Sequence, residues 1–468
     1  MAQVALLGLG QQGRSSTVTA QSHLNLYAQI EKDGEKGGIS FYGTPGTTLK
    51  TSFGDTPVRG WIAVGSLYYV VHRGTLYSVN NAGTKTNLGT LSTTSGRVDM
   101  TYNGAVILIV DGTAGYTFTI SGSVFALISD AQFPNGANTC DWLDGNFFVD
   151  AGDGEDSFYW SPDGSSWDAL DFATAESAPD GLVRILVDHG QLLLCGESTI
   201  EPWGSVGSGD TPVAPIKGAI AQFGLAARWS LTLYNDSVAF LAKNAMGQVQ
   251  VMMMEGTTPR VISTQDIDYQ INSYSTVSDA TAYSYLWSGH PMLQLNFPSA
   301  GKSWLYDGST GMWGPLEYGL NGERHRGEMH IDFLNKPLIA DYETGDIFEL
   351  AEVYTDNGTA IVREIVTRHL YQSNEEVTID ELYVDMEVGV GLATGQGSDP
   401  QVSLRVSKNN GRTWTAPMWK KLGAIGHYLT RVVWRRLGVG RDWLFKLRVT
   451  DPVKIVFTYT EVEAQVEQ

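Results

Sequence analysis

Near the start of the chain, Gly8-Leu-Gly10-Gln-Gln-Gly13 follows the apolar run Val4 to Leu7 in the order of a dinucleotide-binding turn, and Glu31 and Asp33 stand where a ribose-binding acid would be sought. Such a turn works only where it opens a helix in a strand–helix–strand unit, because the helix N-terminus holds the pyrophosphate. Here Arg14-Ser-Ser-Thr-Val-Thr follows, a poor helix start, and hairpins follow that. The expectation is a flexible N-terminal arm over residues 1–20 and no nicotinamide cofactor. Asp150, Asp153, Glu155 and Asp156 offer hard oxygen ligands suited to calcium but lack the spacing of a binding loop, so a solvated turn is expected. Asp188-His189 has the form of an oriented base, yet Gly190 marks it as a hairpin turn. His325-Arg-Gly-Glu328-Met-His330 misses the zincin spacings. Cys140 and Cys195 are too few for a disulfide framework or a Cys-based zinc site and read as buried thiols. With no GxSxG, P-loop or CxxC pattern, no catalytic, cofactor-binding or metal residue is assigned, and the chain reads as a non-enzyme.

The elements that would carry these residues are strands. Of 468 residues, 42% are hydrophobic and 53 are Gly, and short runs of Val, Thr, Tyr, Phe and Trp are cut by Gly, Asn and Asp. That composition favours strands joined by tight turns. Trp61-Ile-Ala-Val, a turn at Gly65-Ser66, Leu67-Tyr-Tyr-Val-Val, a turn at Arg73-Gly74 and Leu76-Tyr-Ser-Val form the first such unit. Its turn recurs near Gly104, Gly145, Gly190, Asp236, Gly289 and Lys336, at spacings of 39, 41, 45, 46, 53 and 47 residues. A period of about 40–50 residues with several strands per period predicts a β-propeller. Seven units are counted, and six blades with an insertion in the long 236–289 gap is the alternative. Ile39-Ser-Phe-Tyr, before the turn Gly43-Thr-Pro-Gly46, is the expected closing strand of the last blade.

Beyond about residue 350 the pattern changes to longer strands: Val377 to Val390, Gln401 to Val406, Tyr428 to Trp434, Leu444 to Val449 and Val453 to Tyr459. Asp356-Asn-Gly358 reads as a linker turn and Gly391 to Pro400 as a loop. The expected all-β organisation is an arm at 1–20, a propeller at 21–350 and a β-sandwich at 351–468. No basic leader opens the chain and no apolar run approaches the ~18 residues of a membrane span, so a soluble protein made in a cytoplasm, without membrane insertion, is expected.

Charge is divided along the chain. Residues 1–350 hold 17 Lys+Arg against 36 Asp+Glu, and residues 351–468 hold 14 against 15. Residues 130–210 contain 16 acids and the single base Arg184, whereas 420–448 contain eight bases and the single acid Asp442. Acid excess commonly serves solubility, and a separate basic stretch suggests a complementary surface on a partner or neighbouring subunit. Arg431, Val433 and Arg435 should share one strand face. Reversing Arg431, Arg435 and Arg436 should weaken assembly.

Ser407-Lys-Asn-Asn-Gly411-Arg-Thr-Trp414 resembles the Asp-box turn of sialidases and related propellers; Ser161-Pro-Asp-Gly164-Ser-Ser-Trp167 is a shorter relative and Asp307-Gly-Ser-Thr-Gly-Met-Trp313 is similar. The chemistry of such a turn is structural: a polar side chain braces it, Gly permits positive φ, and Trp packs back.

A second resemblance is carried by an ordered series. Asn25-Leu26-Tyr27, Tyr42-Gly-Thr-Pro-Gly46 and Ile107-Leu-Ile-Val110 with Asp111-Gly112 and Gly115-Tyr116 come first. Trp167-Asp-Ala-Leu-Asp-Phe-Ala173, Leu182-Val-Arg-Ile-Leu-Val-Asp-His-Gly190 and Gly196-Glu197 follow, then Asn235-Asp-Ser-Val238 and Arg260-Val-Ile-Ser-Thr264. The series resembles the packaged-DNA stabilisation proteins of short-tailed phages, strongest from about residue 20 to 270 and continuing weakly to the end. Pro202-Trp203 and Gly218-Ala-Ile-Ala-Gln-Phe-Gly224 depart from it, and the first 20 residues look private to this chain. The resemblance implies a structural tail nozzle or hub in the virion, assembled in the host cytoplasm as a homohexameric ring below the portal and head–tail adaptor. It would retain packaged double-stranded DNA, conduct it at ejection without reading its sequence, and meet a tail needle or plug and fibres or spikes. Part of the 130–210 acid excess would face the channel of that ring. The alternative is a carbohydrate-binding or carbohydrate-cleaving propeller, suggested by the Asp-box-like turns and 13 Trp; an extracellular adhesion module is a third class.

Overall fold

The computed structural model describes residues 6–31, 38–175, 180–207, 211–244, 246–373 and 375–467. Its strands form seven blade sheets and two further sheets that make a sandwich. In the first blade Val58–Val64, Leu67–His72, Thr75–Asn80 and Lys85–Thr90 pair antiparallel in chain order. The inner strands of the following blades are Asp99–Tyr102, Cys140–Leu143, Leu182–Asp188, Thr232–Leu233, Thr281–Trp287 and Gly327–Phe333. Apolar side chains on both blade faces are buried between neighbours, as Tyr69, Val71, Ile107 and Ile109 are between blades one and two.

The periodic turns join each inner strand to the next. Gly65, Gly104, Gly145, Gly190, Asp236 and Gly289 all have positive φ, and in the last blade Leu334 and Asn335 take that role just before Lys336. The choice between six and seven blades falls to seven. The long gap holds the helix Gln265–Asn272, between blades five and six. Thr264 caps it by accepting from Ile267 N, and Ile267 and Ile271, four apart, are buried against the blades.

The closing strand is Gly46–Ser52, which pairs with Asp346–Ala351. Ile39–Gly43, the expected one, instead pairs with Leu26–Ile30 and with Val456–Glu467. Both strands have suitable patterns; the Thr44-Pro45 turn between them carries the chain from one domain to the other. Phe41 is fully buried in the second domain's core. Gly46 fits the crossing because a Cβ there would lie 2.4 Å from the Thr355 carbonyl oxygen and 2.5 Å from that of Val353.

The second domain is accordingly built from both ends of the chain, which corrects the expected boundary at residue 21. One sheet runs Ser22–Leu24, Arg363–Val366, Asp442–Val449, Gln401–Ser407, Met418–Lys421; the other runs Leu26–Ile30, Ile39–Gly43, Val456–Glu467, Glu376–Met386, Val432–Gly440. Leu6 and Leu7 are buried in its core, and Leu6 accepts from Arg368 N at 2.8 Å. Burying a leucine contributes about 1.5–3 kcal/mol, so the expected flexible arm is anchored at its apolar end. The linker turn is packed as well. Asp356 is buried and pairs in parallel with Thr47, while Asn357 and Gly358 supply the positive φ of a short hairpin.

Candidate functional site

The inner strands surround an axial cavity of about 450 Å³ lined by Arg97, Asp99, Arg184, Trp229, Tyr283 and His330 among others. Arg97 precedes blade two and Arg184 lies on the inner strand of blade four, yet both guanidinium groups lie over the Trp229 ring, at 4.9 and 5.0 Å from its centroid. Arg184 also donates to the Leu231 carbonyl at 2.9 Å. Burial pulls Arg97 down to about 10 and pushes the Asp99 carboxyl up, the latter opposed by Arg184. Asp141 is pushed up to about 6 by burial although it accepts from Val187 N at 2.6 Å and from Trp142 N at 2.8 Å. This arrangement braces the axis with two guanidinium groups gathered over one aromatic ring. Arg184 was visible in the sequence as the lone base of its region; Arg97 and Trp229 carried no periodic signal.

The thiols are inert by the same physics. Burial pushes Cys140 well above its usual range and Cys195 up to about 12, so neither presents a thiolate.

The structure separates the other sequence candidates. Gly8, Gly10 and Gly13 open no helix: Gly8 O accepts from the Gln21 side chain, and Gly13 N donates to Thr19 O at 3.0 Å. Glu31 is described, whereas Asp33 lies outside the described residues. Of the four acids near 150, Asp150 is buried and accepts from Asn138 N and Thr139 N, both at 2.8 Å, and from Gly152 N at 3.1 Å. Asp153 turns away to Arg228, and Glu155 is exposed. The expected solvated turn is therefore braced by a buried carboxylate. Among the described residues no group of three or more His, Cys, Asp or Glu is placed to hold a metal ion.

His189 lies between Asp188, at 2.8 Å, and Asp236, at 3.2 Å, across two neighbouring hairpin turns on the exposed rim; its pair of carboxylates raises its pKa. His325 is buried, pulled down to about 4, and its Nδ1 accepts from Gly327 N at 3.1 Å. His330 instead stands 3.4 Å from Asp332. These two histidines serve different contacts.

The Asp-box-like turns share one geometry in two domains. Ser161 Oγ accepts from Gly164 N at 2.9 Å and Trp167 Nε1 donates to Gly164 O at 3.1 Å. Ser407 Oγ accepts from Gly411 N at 2.9 Å and Trp414 Nε1 donates to Gly411 O at 3.1 Å. Asp307 braces the third turn through Ser309 N and the Thr310 hydroxyl at 2.9 and 2.8 Å. Each acts on its own loop.

The basic stretch is largely neutralised within the sandwich. Lys421 pairs with Asp399, Arg435 with Glu381, Arg441 with Glu376, and Lys446 and Arg448 with Glu364. Lys420, Arg431 and Arg436 remain for other contacts, Arg431 lying 5.5 Å from the Tyr383 ring centroid. Arg431 precedes the strand, which begins at Val432, and Val433 is buried while Arg435 is exposed. Val433 and Arg435 pair with Tyr383 and Glu381, two apart on the neighbouring strand, and so keep one face; the register shift and the positive φ at Arg436 come after Arg435 and take Arg436 off that alternation.

Two family models match the chain in order: Bacteriophage P22 Gp10, beta-propeller, over residues 4–354, and Bacteriophage P22 Gp10, beta-sandwich, over residues 362–465. The match from residue 4 corrects the view that the first 20 residues are private. A curated relative, the tail hub protein gp10 of Salmonella phage P22, is 25% identical over 325 residues, covering 62% of this chain and 65% of that protein, a little under two thirds of its length. Among solved structures, the Neurospora crassa Pan2 WD40 domain is similar at a TM-score of 0.43 with 8% identity, over 66% of this chain and 96% of that one. The WD40 propeller domain of Doa1 is similar at 0.40 with 14% identity, over 65% and 96%. On the two ordered family matches, this all-β chain of a propeller followed by a sandwich belongs to the Bacteriophage P22 Gp10 family.

Proposed function

We propose that this chain is a structural tail hub, or nozzle, of a short-tailed phage, forming a ring below the portal and head–tail adaptor that retains packaged DNA and conducts it at ejection. The observation that carries this reading is the match of both domains, in order, to a family whose P22 member is named a tail hub protein. The fold is suited to the load. A propeller closed by a pairing between strands about 300 residues apart, with a sandwich built from both ends of the chain, leaves few open sheet edges and resists deformation.

The axis of a single chain is braced by side chains, so the passage for DNA belongs to the ring between copies. Duplex DNA carries one negative charge per ~1.7 Å of axis, and an acidic wall keeps it from binding on the way out. The rim of inner-strand turns in blades three and four presents Asp144 and Asp188, the part of the 130–210 acid excess proposed to face that passage, with Asp236 of blade five beside them. The ring is proposed to be a hexamer and to offer surfaces to a needle or plug and to fibres or spikes. The reading is non-enzymatic, since the braced turns and separated histidines favour a scaffold.

Particles assembled without this protein test the proposal. They should package DNA and then lose it, with ejection competence restored by adding the purified protein. Particles that keep their genome and infect normally would refute it.

A further inference from the structure

The two sheets of the sandwich both begin beside the propeller and both end away from it. Ser22–Leu24 and Leu26–Ile30 lead the sheets and pack on Met312–Tyr318, the fourth strand of blade six. Met418–Lys421 and Val432–Gly440 end them. The segment between these last strands, residues 422–431, therefore joins two open sheet edges at the far end of the domain. It exposes Ile425, Tyr428 and Leu429, with Trp419 beside them, and Leu429 is 96% exposed. Lys420, Arg431 and Arg436, for which no ion pair is found among the described residues, lie close to this patch in sequence.

Lysines on an open edge ordinarily serve to prevent sheet-to-sheet aggregation. That role is not served by several adjoining exposed apolar side chains, which mark a contact surface. The counterpart lies on the propeller. At the outer edge of blade three, just before and within the strand Phe172–Thr174, Leu170 is 81% exposed and Phe172 is 44% exposed. Asp163 and Asp168 stand exposed next to them in sequence, within the acid-rich region. The sandwich is fixed to blades six and seven, and in a ring of seven blades the third lies three steps from each, across the axis.

We propose that residues 419–436 of one copy dock on the outer edge of blade three of a second copy, making a head-to-tail contact. Apolar meets apolar and base meets acid, at opposite ends of the same chain. Two different patches joined in this way generate a closed ring when the rotation per copy closes, which a self-complementary patch does not. Three bases without an ion pair among the described residues are too few for strong binding of duplex DNA, where affinity scales with the number of phosphates neutralised, so a second copy is the favoured occupant. The inference rests on the ring reading above and supplies its contact.

The test uses the full chain carrying Leu429→Cys and Leu170→Cys together, and each alone. Cys140 and Cys195 are buried and do not compete. On mild oxidation the double variant should give a ladder of covalent multimers ending at the ring, and either single variant should give no ladder. Sedimentation velocity of the unmodified chain is run beside it. A chain that sediments as a ring while the double variant fails to crosslink overturns this contact and leaves the ring standing. A chain that stays monomeric at every concentration, with no crosslinking, overturns both. Leu429→Asp, at a position so exposed that folding is preserved, should abolish the ring without shifting the thermal transition.

Discussion

The side-chain amide of Asn25 donates to the main-chain carbonyl of Val362 at 2.8 Å, across 337 residues of chain. The same amide donates to Glu317 O at 2.9 Å, and its oxygen accepts from Glu317 N at 2.9 Å. One buried side chain therefore ties blade six to the segment that enters the sandwich. Asn25 O in turn accepts from Thr44 N at 3.1 Å, so two stretches of the family resemblance, Asn25-Leu26-Tyr27 and Tyr42 to Gly46, meet at this joint. Asn25→Ala would leave buried main-chain groups without partners and should cost roughly 2–4 kcal/mol. Asn25→Asp should be worse, because a carboxylate would face two carbonyl oxygens. Denaturant unfolding of the purified chain measures both.

The braced turns at Ser161 and Ser407 have one geometry in different domains. Ser161→Ala and Ser407→Ala should each cost about 1–2 kcal/mol, by leaving a glycine N–H without its acceptor. The two losses should add in the double variant, since the sites share no partner. Equilibrium unfolding of the single and double variants decides it.

At the axis, Trp229 is half-buried on the cavity wall, and Trp229→Ala would remove the ring that two guanidinium groups share, for a loss of roughly 1–3 kcal/mol. Trp229→Phe should recover much of it. Arg97 and Trp229 are distant in sequence and neighbours in space, so the Arg97→Ala and Trp229→Ala effects should be non-additive in a double-mutant cycle.

Acid should act on this fold in two opposite directions. His23 and His325 are held neutral by burial, at about 3 and about 4, below the ordinary histidine value. Their contribution is complete above pH 6.5 and is lost as pH falls toward those values, because the unfolded chain takes up protons first. Asp141 and Asp356 are raised by burial, to about 6 and about 7. They favour the folded chain at low pH, and that contribution is lost as pH rises through those values. Between pH 7.5 and 4.5 the two sets therefore act in opposite directions. His23→Phe should gain roughly 2–3 kcal/mol relative to wild type over that descent, and Asp141→Asn should lose about 2 kcal/mol. Thermal unfolding of the three proteins at both pH values tests the signs.

Much of the propeller was legible because each inner hairpin needs a residue with positive φ, and Gly65, Gly104, Gly145, Gly190 and Gly289 mark that need at a steady interval. The helix Gln265–Asn272 explains why one interval ran long. The use of both chain ends in the sandwich was not legible. Ile39–Gly43 and Gly46–Ser52 are both credible strands, and only the pairing partners, hundreds of residues away, distinguish them. The charge division was legible as a count, but the pairing of Arg435 with Glu381 or Lys446 with Glu364 arises between strands that sequence spacing does not relate. The axial cluster was hidden for the same reason: Arg97, Arg184 and Trp229 come from three blades.

A three-dimensional reconstruction of the assembled tail, made from intact particles, tests the central claim most directly. The account predicts a ring of copies below the head–tail adaptor, with DNA passing between copies, the sandwich of each copy against blade three of the next, and Asp144, Asp188 and Asp236 toward the passage. Finding the chain at the tip of a fibre, or missing from the tail, would contradict it.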